Sequence, residues 1–124
     1  MAKKILIVDD DITVQRLLEF VLRRFDVDVL IADNGDDAID IIKEEKPDLI
    51  FLDVMMPGRN GIEVCREIRK EPELKGSYIV MLTAKGEEAE VKDMFDSGAD
   101  EYVPKPFSPS EIAEIVKKVI YKEQ

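Results

Sequence analysis

The chain of 124 residues contains no histidine and no tryptophan, and its single cysteine is Cys65. One cysteine cannot form an internal disulfide, so a reduced, cytosolic setting is expected. Without histidine, and with Cys65 inside a helical pattern, the sequence favours metal binding through oxygen atoms alone. That chemistry indicates Mg²⁺ before zinc or copper.

Long apolar runs and an excess of positive charge are also lacking. The first apolar run, residues 5–8, is too short for the core of a signal peptide, and no segment approaches a membrane span. The 18 basic and 28 acidic residues give a net charge of −10, which repels nucleic acid and anionic membranes. We therefore expect a cytoplasmic, single domain over residues 1–124 that binds neither nucleic acid nor membrane directly.

What the sequence does contain is an alternation of two hydrophobic periods. Several short runs are continuously apolar, which is typical of strands covered by helices on both faces of a sheet. The predicted strands are Lys4–Val8, Val27–Ala32, Leu49–Asp53, Tyr78–Thr83 and Glu101–Val103.

Between these runs, apolar residues recur with the period of a helix. The first helical stripe comprises Val14, Leu17, Leu18, Val21, Leu22 and Phe25. Three shorter stripes comprise Ala38, Ile41 and Ile42, then Ile62, Cys65 and Ile68, then Val91, Met94 and Phe95. The last comprises Ile112, Ile115, Val116, Val119 and Ile120, after a capping box over residues 108–111 with proline at the first helical position. Five strand–helix units predict an α/β fold, a doubly wound parallel sheet with helices on both faces.

Five polar residues lie at the predicted strand ends: Asp9, Asp10, Asp53, Thr83 and Lys105. Because the carboxyl ends of parallel strands share one edge, we expect these side chains to meet in a single crevice. Singly, each has an ordinary alternative, such as a turn aspartate, a solvated lysine or a β-forming threonine. Together they suit a divalent cation beside a phosphoryl group.

Helix capping alone does not account for the three acidic residues that follow the first strand. We expect Asp11 to cap the first helix, a contribution of about 1 kcal/mol. Two carboxylates about 4 Å apart repel by roughly 4 kcal/mol at an effective dielectric near 20. Capping alone does not justify placing Asp9, Asp10 and Asp53 together, whereas a bound Mg²⁺ does. Asp53 then becomes a competent nucleophile for phosphorus, and Lys105 a point charge for phosphoryl oxygens.

The chain resembles the receiver domains of bacterial two-component response regulators over essentially its whole length. The resemblance rests on Ile7-Val8-Asp9-Asp10, on residues 52–58 with Gly61, on Leu82-Thr83-Ala84, and on residues 102–107. It implies a flavodoxin-like fold with strand order 2-1-3-4-5, and a cis peptide bond between Lys105 and Pro106.

The resemblance also implies a role for each site residue. Asp53 would accept a phosphoryl group from a sensor histidine kinase, a phosphotransfer protein or a small phosphodonor. Asp9, Asp10, Asp53 and the Met55 carbonyl would bind Mg²⁺. Lys105 and Thr83 would contact the phosphoryl group, and Ala84 is assigned to the same binding site. Thr83 and Tyr102 would switch the face formed by helix four, strand five and helix five, which would bind a downstream target. Met55 and Lys85 would tune the loss of phosphate.

Three alternatives stay open at this point. An aspartate-based phosphatase would carry a second acid two residues after the nucleophile, where this chain has Met55. A flavodoxin-like electron carrier would need a Ser-, Thr- and Gly-rich phosphate loop in place of residues 9–11. The chain could also be a receiver module cut from a longer regulator with an effector domain.

Overall fold

A computed structural model describes residues 3–84 and 91–121, which form five parallel strands and five α-helices. The strands are β1 (Lys3–Val8), β2 (Val27–Ala32), β3 (Leu49–Asp53), β4 (Tyr78–Thr83) and β5 (Glu101–Pro104). The helices are α1 (Ile12–Leu22), α2 (Gly35–Glu45), α3 (Gly61–Arg69), α4 (Val91–Asp96) and α5 (Pro109–Val116). The predicted strand bounds are confirmed to within one residue.

The strands form one parallel sheet in the order β2-β1-β3-β4-β5. This is the order implied by the resemblance. The order reverses between β1 and β3, so the loops after these strands diverge to opposite faces of the sheet and leave a crevice between them. In the register, Val8 of β1 lies beside Leu52 of β3, and Asp53 lies beside Leu82 of β4.

Side chains alternate along the strands and fill one core on each face of the sheet. On one face, Leu6, Ile50 and Ile79 pack with residues of α2, α3 and α4. On the other, Ile7 and Phe51 pack with residues of α1 and α5. The strands therefore read as continuous apolar runs because both of their faces are buried.

The helix ends follow local capping chemistry. The Asp11 side chain accepts a hydrogen bond from the Thr13 N–H at 2.8 Å, which confirms the predicted cap of α1. Ser108 and Glu111 form the predicted capping box of α5. Asn60 and Glu63 form a second capping box, at α3, that was not predicted.

Two helices end before their apolar stripes do. The α1 helix stops at Leu22, although Phe25 still packs on the same core. The α5 helix gives way at Lys117 to a π-helical turn that carries Val119 and Ile120 and ends at Tyr121. An apolar stripe identifies residues that pack on the core, including residues just beyond the end of a helix. The stripe therefore does not fix where the helix ends.

Candidate functional site

Asp9 and Asp53 meet in the crevice beside the reversal of strand order. Asp9 follows β1 and is fully buried, and Asp53 is the last residue of β3 and is 5% exposed. One carboxylate oxygen from each of Asp9, Asp10 and Asp53 lies within 4.8 Å of the others. The structure thus brings together the three predicted carboxylates, with Asp10 on the exposed side.

Lys105 joins the two buried acids. Its Nζ atom lies 2.9 Å from Asp9 Oδ2 and 3.4 Å from Asp53 Oδ1. The Lys105 N–H donates to the Thr83 carbonyl at 2.6 Å, which ties its backbone to the end of β4, and the peptide bond between Lys105 and Pro106 is cis. The cis bond was implied by the resemblance and is confirmed.

Backbone N–H groups orient both carboxylates by hydrogen bonds. Asp9 Oδ1 accepts the Asp11 N–H at 2.9 Å, and Asp53 Oδ1 accepts the Met55 N–H at 3.3 Å. Gln15, on the first turns of α1, donates its side-chain amide to the Asp9 carbonyl at 2.7 Å. Sequence reasoning missed Gln15, whose only signal was its place one helical turn after the capping Asp11.

The pKa values reflect this crowding of charge. Burial, followed by repulsion from the Asp9 carboxylate, raises the pKa of Asp53 to about 7, although Lys105 and the Met55 N–H oppose the rise. Burial disfavours the charged form of Lys105, but the hydrogen bond to Asp9 and the attraction of Asp53 outweigh it, so the Lys105 pKa is raised. The Lys105 ammonium therefore offsets only part of the rise in the Asp53 pKa.

The donor set fits a hard divalent cation. Within residues 3–84 and 91–121, the side chains grouped here as candidate ligands are all carboxylates, whose oxygens Mg²⁺ prefers. Asp9 Oδ2 is buried, and apart from the Lys105 ammonium, 2.9 Å away, it accepts no hydrogen bond from the described residues. A buried oxygen of this kind is a suitable ligand atom.

Thr83, Ala84 and Met55 lie at or just after the carboxyl ends of β4 and β3, at the edge of the sheet that holds the acids. Thr83 is buried at the end of β4. Ala84 follows it and, with Lys105 and Phe107, lines an apolar cavity of about 380 Å³. Met55 is 60% exposed. Lys85 lies outside the described residues.

Tyr102 lies on β5, on the same face of the sheet as α4. It is partly buried, packs against the core on that face, and its ring stands nearly edge-on to that of Phe95, with centroids 6.0 Å apart. The aromatic pair spans α4 and β5.

The response regulator receiver domain family matches residues 5–117. The chain belongs to this family. Receiver domains are the phosphoacceptor signalling domains of two-component systems, and they interact with histidine kinases or phosphotransfer partners. The phosphatase and electron-carrier alternatives receive no support from this match.

Solved structures of receiver domains superimpose on almost the whole chain. A protein of Chloroflexus aurantiacus J-10-fl, described as a response regulator, is 38% identical, with a TM-score of 0.90 and coverage of 98% of this chain and 99% of its own. The chemotaxis response regulator CheY4 of Vibrio cholerae is 27% identical, with a TM-score of 0.88 and coverage of 96% and 99%. The receiver domain of the sensor histidine kinase PA1611 from Pseudomonas aeruginosa PAO1 is 26% identical, with a TM-score of 0.87 and coverage of 98% and 99%, and has a magnesium ion coordinated in its active site cleft.

Proposed function

We propose that this receiver domain accepts a phosphoryl group on Asp53 from the phosphohistidine of a sensor kinase or phosphotransfer protein, or from a small phosphodonor. The observation that carries the proposal is the contact of one ammonium, Lys105, with the buried carboxylates of both Asp9 and Asp53. A structural ion pair needs one carboxylate, whereas a phosphoryl-transfer site needs a nucleophile, an acidic metal site and a cation for phosphoryl oxygens.

Asp9, Asp10, Asp53 and the Met55 carbonyl are the proposed ligands of Mg²⁺. When bound, Mg²⁺ offsets negative charge on the carboxylates and on the transferring group. The magnesium ion in the PA1611 receiver domain supports this assignment, as does the oxygen-only donor set. Met55 contributes only its backbone to this set, so its side chain is not a proposed ligand.

The chain's own residues then perform the transfer by position and charge. An ionised Asp53 oxygen forms a bond to phosphorus while the phosphorus–nitrogen bond of the donor phosphohistidine breaks. That nitrogen keeps the electron pair, and the ring, protonated at its other nitrogen, leaves as a neutral imidazole. Lys105 neutralises phosphoryl oxygens, and the Thr83 hydroxyl donates a hydrogen bond to one of them. Ala84 adjoins the same group, where a small side chain leaves room.

Phosphotransfer from purified, radiolabelled sensor kinases tests this proposal. We expect label to pass to the wild-type chain in Mg²⁺ and not to pass when EDTA is present from the start. Asp53→Asn should remain unlabelled, while Asp48→Asn, a carboxylate far from the crevice, should be labelled normally. Full labelling of Asp53→Asn would contradict the assignment of the acceptor.

We further propose that phosphorylation switches the face formed by α4, β5 and α5, through Thr83 and Tyr102, and that this face binds a downstream target. Thr83 would move toward the phosphoryl group and leave space into which Tyr102 turns, a shift between two arrangements of one structure. The partly buried position of Tyr102 against Phe95 supports such a rearrangement.

Beryllofluoride, a phosphoryl mimic, tests the switch by NMR. We expect backbone amide shifts along α4, β5 and α5 in the wild type, and smaller shifts on that face in Thr83→Ala. Shifts confined to α2 would contradict the proposed route.

The absence of direct nucleic-acid and membrane binding, the cytoplasmic location and the domain bounds 1–124 stay predictions. Within the described residues, none of the helices is long and apolar enough to cross a membrane.

A further inference from the structure

The loop from Val54 to Asn60, here called the β3–α3 loop, is fixed at both ends. At its start, the Val54 N–H donates to the Leu82 carbonyl at 3.1 Å, and at its end the Gly61 N–H donates back to the Val54 carbonyl at 2.9 Å. The loop carries Met55, whose N–H donates to the Asp53 carboxylate. Any displacement of the loop therefore reaches the nucleophile through its backbone.

Between these ends the loop lies against the first turn of α2. The Arg59 Nε atom is 3.2 Å from Asp36 Oδ1, and the Arg59 backbone passes directly over Gly35. A Cβ atom on Gly35 would meet the Arg59 carbonyl oxygen well inside 3.0 Å and the Arg59 Cβ at 2.9 Å. Real Cβ atoms essentially never approach other heavy atoms within 3.0 Å.

Glycine at position 35 is needed for space and not for an unusual backbone angle. Among the described glycines, positive φ angles occur at Gly58 and Gly98, not at Gly35. The neighbours that a side chain would strike include backbone atoms, which cannot rotate away. The helix cannot retreat easily either, because Asn34 caps it at 2.8 Å and Ala38 and Ile39 hold it in the core.

We propose that Gly35 is a positioning residue for the phosphoryl-transfer site. Because Gly35 has no side chain, Arg59 can pack against the first turn of α2 and hold the β3–α3 loop there; this packing is here called the seating of the loop. The position of the loop in turn sets the position of the Met55 backbone relative to Asp53 and to Mg²⁺. The metal part of this inference rests on the proposed function, whereas the contact between Gly35 and Arg59 does not. Loss of a residue that holds a metal ligand in place commonly weakens metal binding by about 10–100-fold.

The test compares Gly35→Ala with Gly76→Ala, a matched substitution at a glycine with no atom within 4 Å of an added Cβ. Calorimetric titration with Mg²⁺ should show binding at least about tenfold weaker in Gly35→Ala and unchanged in Gly76→Ala. NMR spectra without metal should show shifted amide resonances of Met55 and Asp53 in Gly35→Ala only. The second readout depends on neither Mg²⁺ nor phosphorylation.

The outcomes separate this inference from the proposed function. A wild type that binds no Mg²⁺ would refute the metal site, while the Met55 amide would still report on the seating of the loop. A folded Gly35→Ala with the Mg²⁺ affinity and Met55 resonance of Gly76→Ala would overturn the positioning role.

A second pair of variants decides the matter should Gly35→Ala fail to fold. Arg59→Ala removes the side-chain contact with Asp36, and Arg66→Ala removes the same charge from an exposed position on α3. We expect weaker Mg²⁺ binding in Arg59→Ala than in Arg66→Ala. Equal affinities would contradict the seating of the loop as the cause.

Discussion

At the scale of single residues, Asp53 has to satisfy two opposed requirements. It must be ionised to attack phosphorus, yet it is buried beside a second carboxylate, and its pKa is raised to about 7. Lys105 compensates in part, and a bound cation would complete the compensation. The metal-free site is therefore a local source of instability near neutral pH.

This conflict predicts how stability depends on pH. Because the pKa of Asp53 is higher in the folded chain than its usual value of 3.8, the folded state holds the proton more tightly. The contribution of the Asp53 carboxyl to the free energy of unfolding is therefore fully available below pH 4 and is lost as the pH rises to 7. In EDTA, Asp53→Asn should be more stable than wild type above pH 7, by at most about 4 kcal/mol, with little of this gain at pH 4.

Urea unfolding at pH 4, 6 and 8 measures this difference. Glu44→Gln, which removes one exposed carboxylate from α2, is the control and should show no comparable trend. A constant difference between Asp53→Asn and wild type across the three pH values would refute the account of the raised pKa.

Met55 leads to a second prediction at the residue scale. Its exposed thioether chain stands two residues after Asp53 and cannot hydrogen-bond an attacking water effectively. Met55→Asn should therefore lose phosphate faster than wild type, while Met55→Leu should keep the slow rate. The decay of radiolabelled protein after removal of the donor measures this, and an unchanged or slower rate in Met55→Asn would count against the idea.

At the scale of elements, Arg69 ties three of them together at the end of the sheet opposite the acids. Its guanidinium donates to the Gly98 carbonyl at 3.0 Å and to Asp100 Oδ2 at 2.8 Å. Asp100 in turn accepts the Ile79 N–H at 2.9 Å. Through one side chain, α3 is thus joined to the turn after α4 and to the beginning of β4.

We expect Arg69→Met to lower the free energy of unfolding by about 2–3 kcal/mol, because it removes the hydrogen bond to the Gly98 carbonyl and the charged hydrogen bond to Asp100. Arg66→Met, on the exposed side of the same helix, should change stability by less than about 0.5 kcal/mol. Chemical denaturation measures both. The Mg²⁺ affinity of Arg69→Met should stay at the wild-type value, and a large loss of affinity would show that the two ends of the sheet are coupled.

Element type and order were largely predictable from the sequence, and the reasons are physical. Residues 5–8 and 49–52 are apolar on both faces, so they identify buried parallel strands, and Asp11 identifies the start of α1 by its capping side chain. The end of α1 was not predictable from its apolar stripe, because Phe25 reaches the core from beyond the helix. Packing between distant segments, such as Gly35 beneath Arg59, leaves no periodic signal at all.

The site was predictable to the same extent as the topology. Once β1, β3, β4 and β5 are parallel neighbours, the residues at their carboxyl ends must converge, and the structure places Asp9, Asp53 and Lys105 in contact. The sequence did not indicate which acid is buried. Asp9 is fully buried and Asp10 is exposed, a difference that a run of identical aspartates does not reveal.

At the scale of the whole molecule, stability and metal binding should be linked. A cation that binds only the folded chain raises the free energy of unfolding by roughly 2.7 kcal/mol when its concentration is about 100 times its dissociation constant. Thermal unfolding in EDTA and in Mg²⁺ measures the difference. The gain should vanish in a double variant, Asp9→Asn with Asp10→Asn, and a melting temperature indifferent to Mg²⁺ in the wild type would argue against the acidic crevice as a metal site.

The central claim is that Asp53 is the residue that carries the phosphoryl group. The most direct measurement is to incubate the wild-type chain with acetyl phosphate and Mg²⁺, trap the acyl phosphate with borohydride, and locate the modified residue by peptide mass spectrometry. The account predicts modification at Asp53 and at no other carboxylate, and only when Mg²⁺ is present. An unmodified Asp53, or a label on Asp9 or Asp10 in its place, would contradict it.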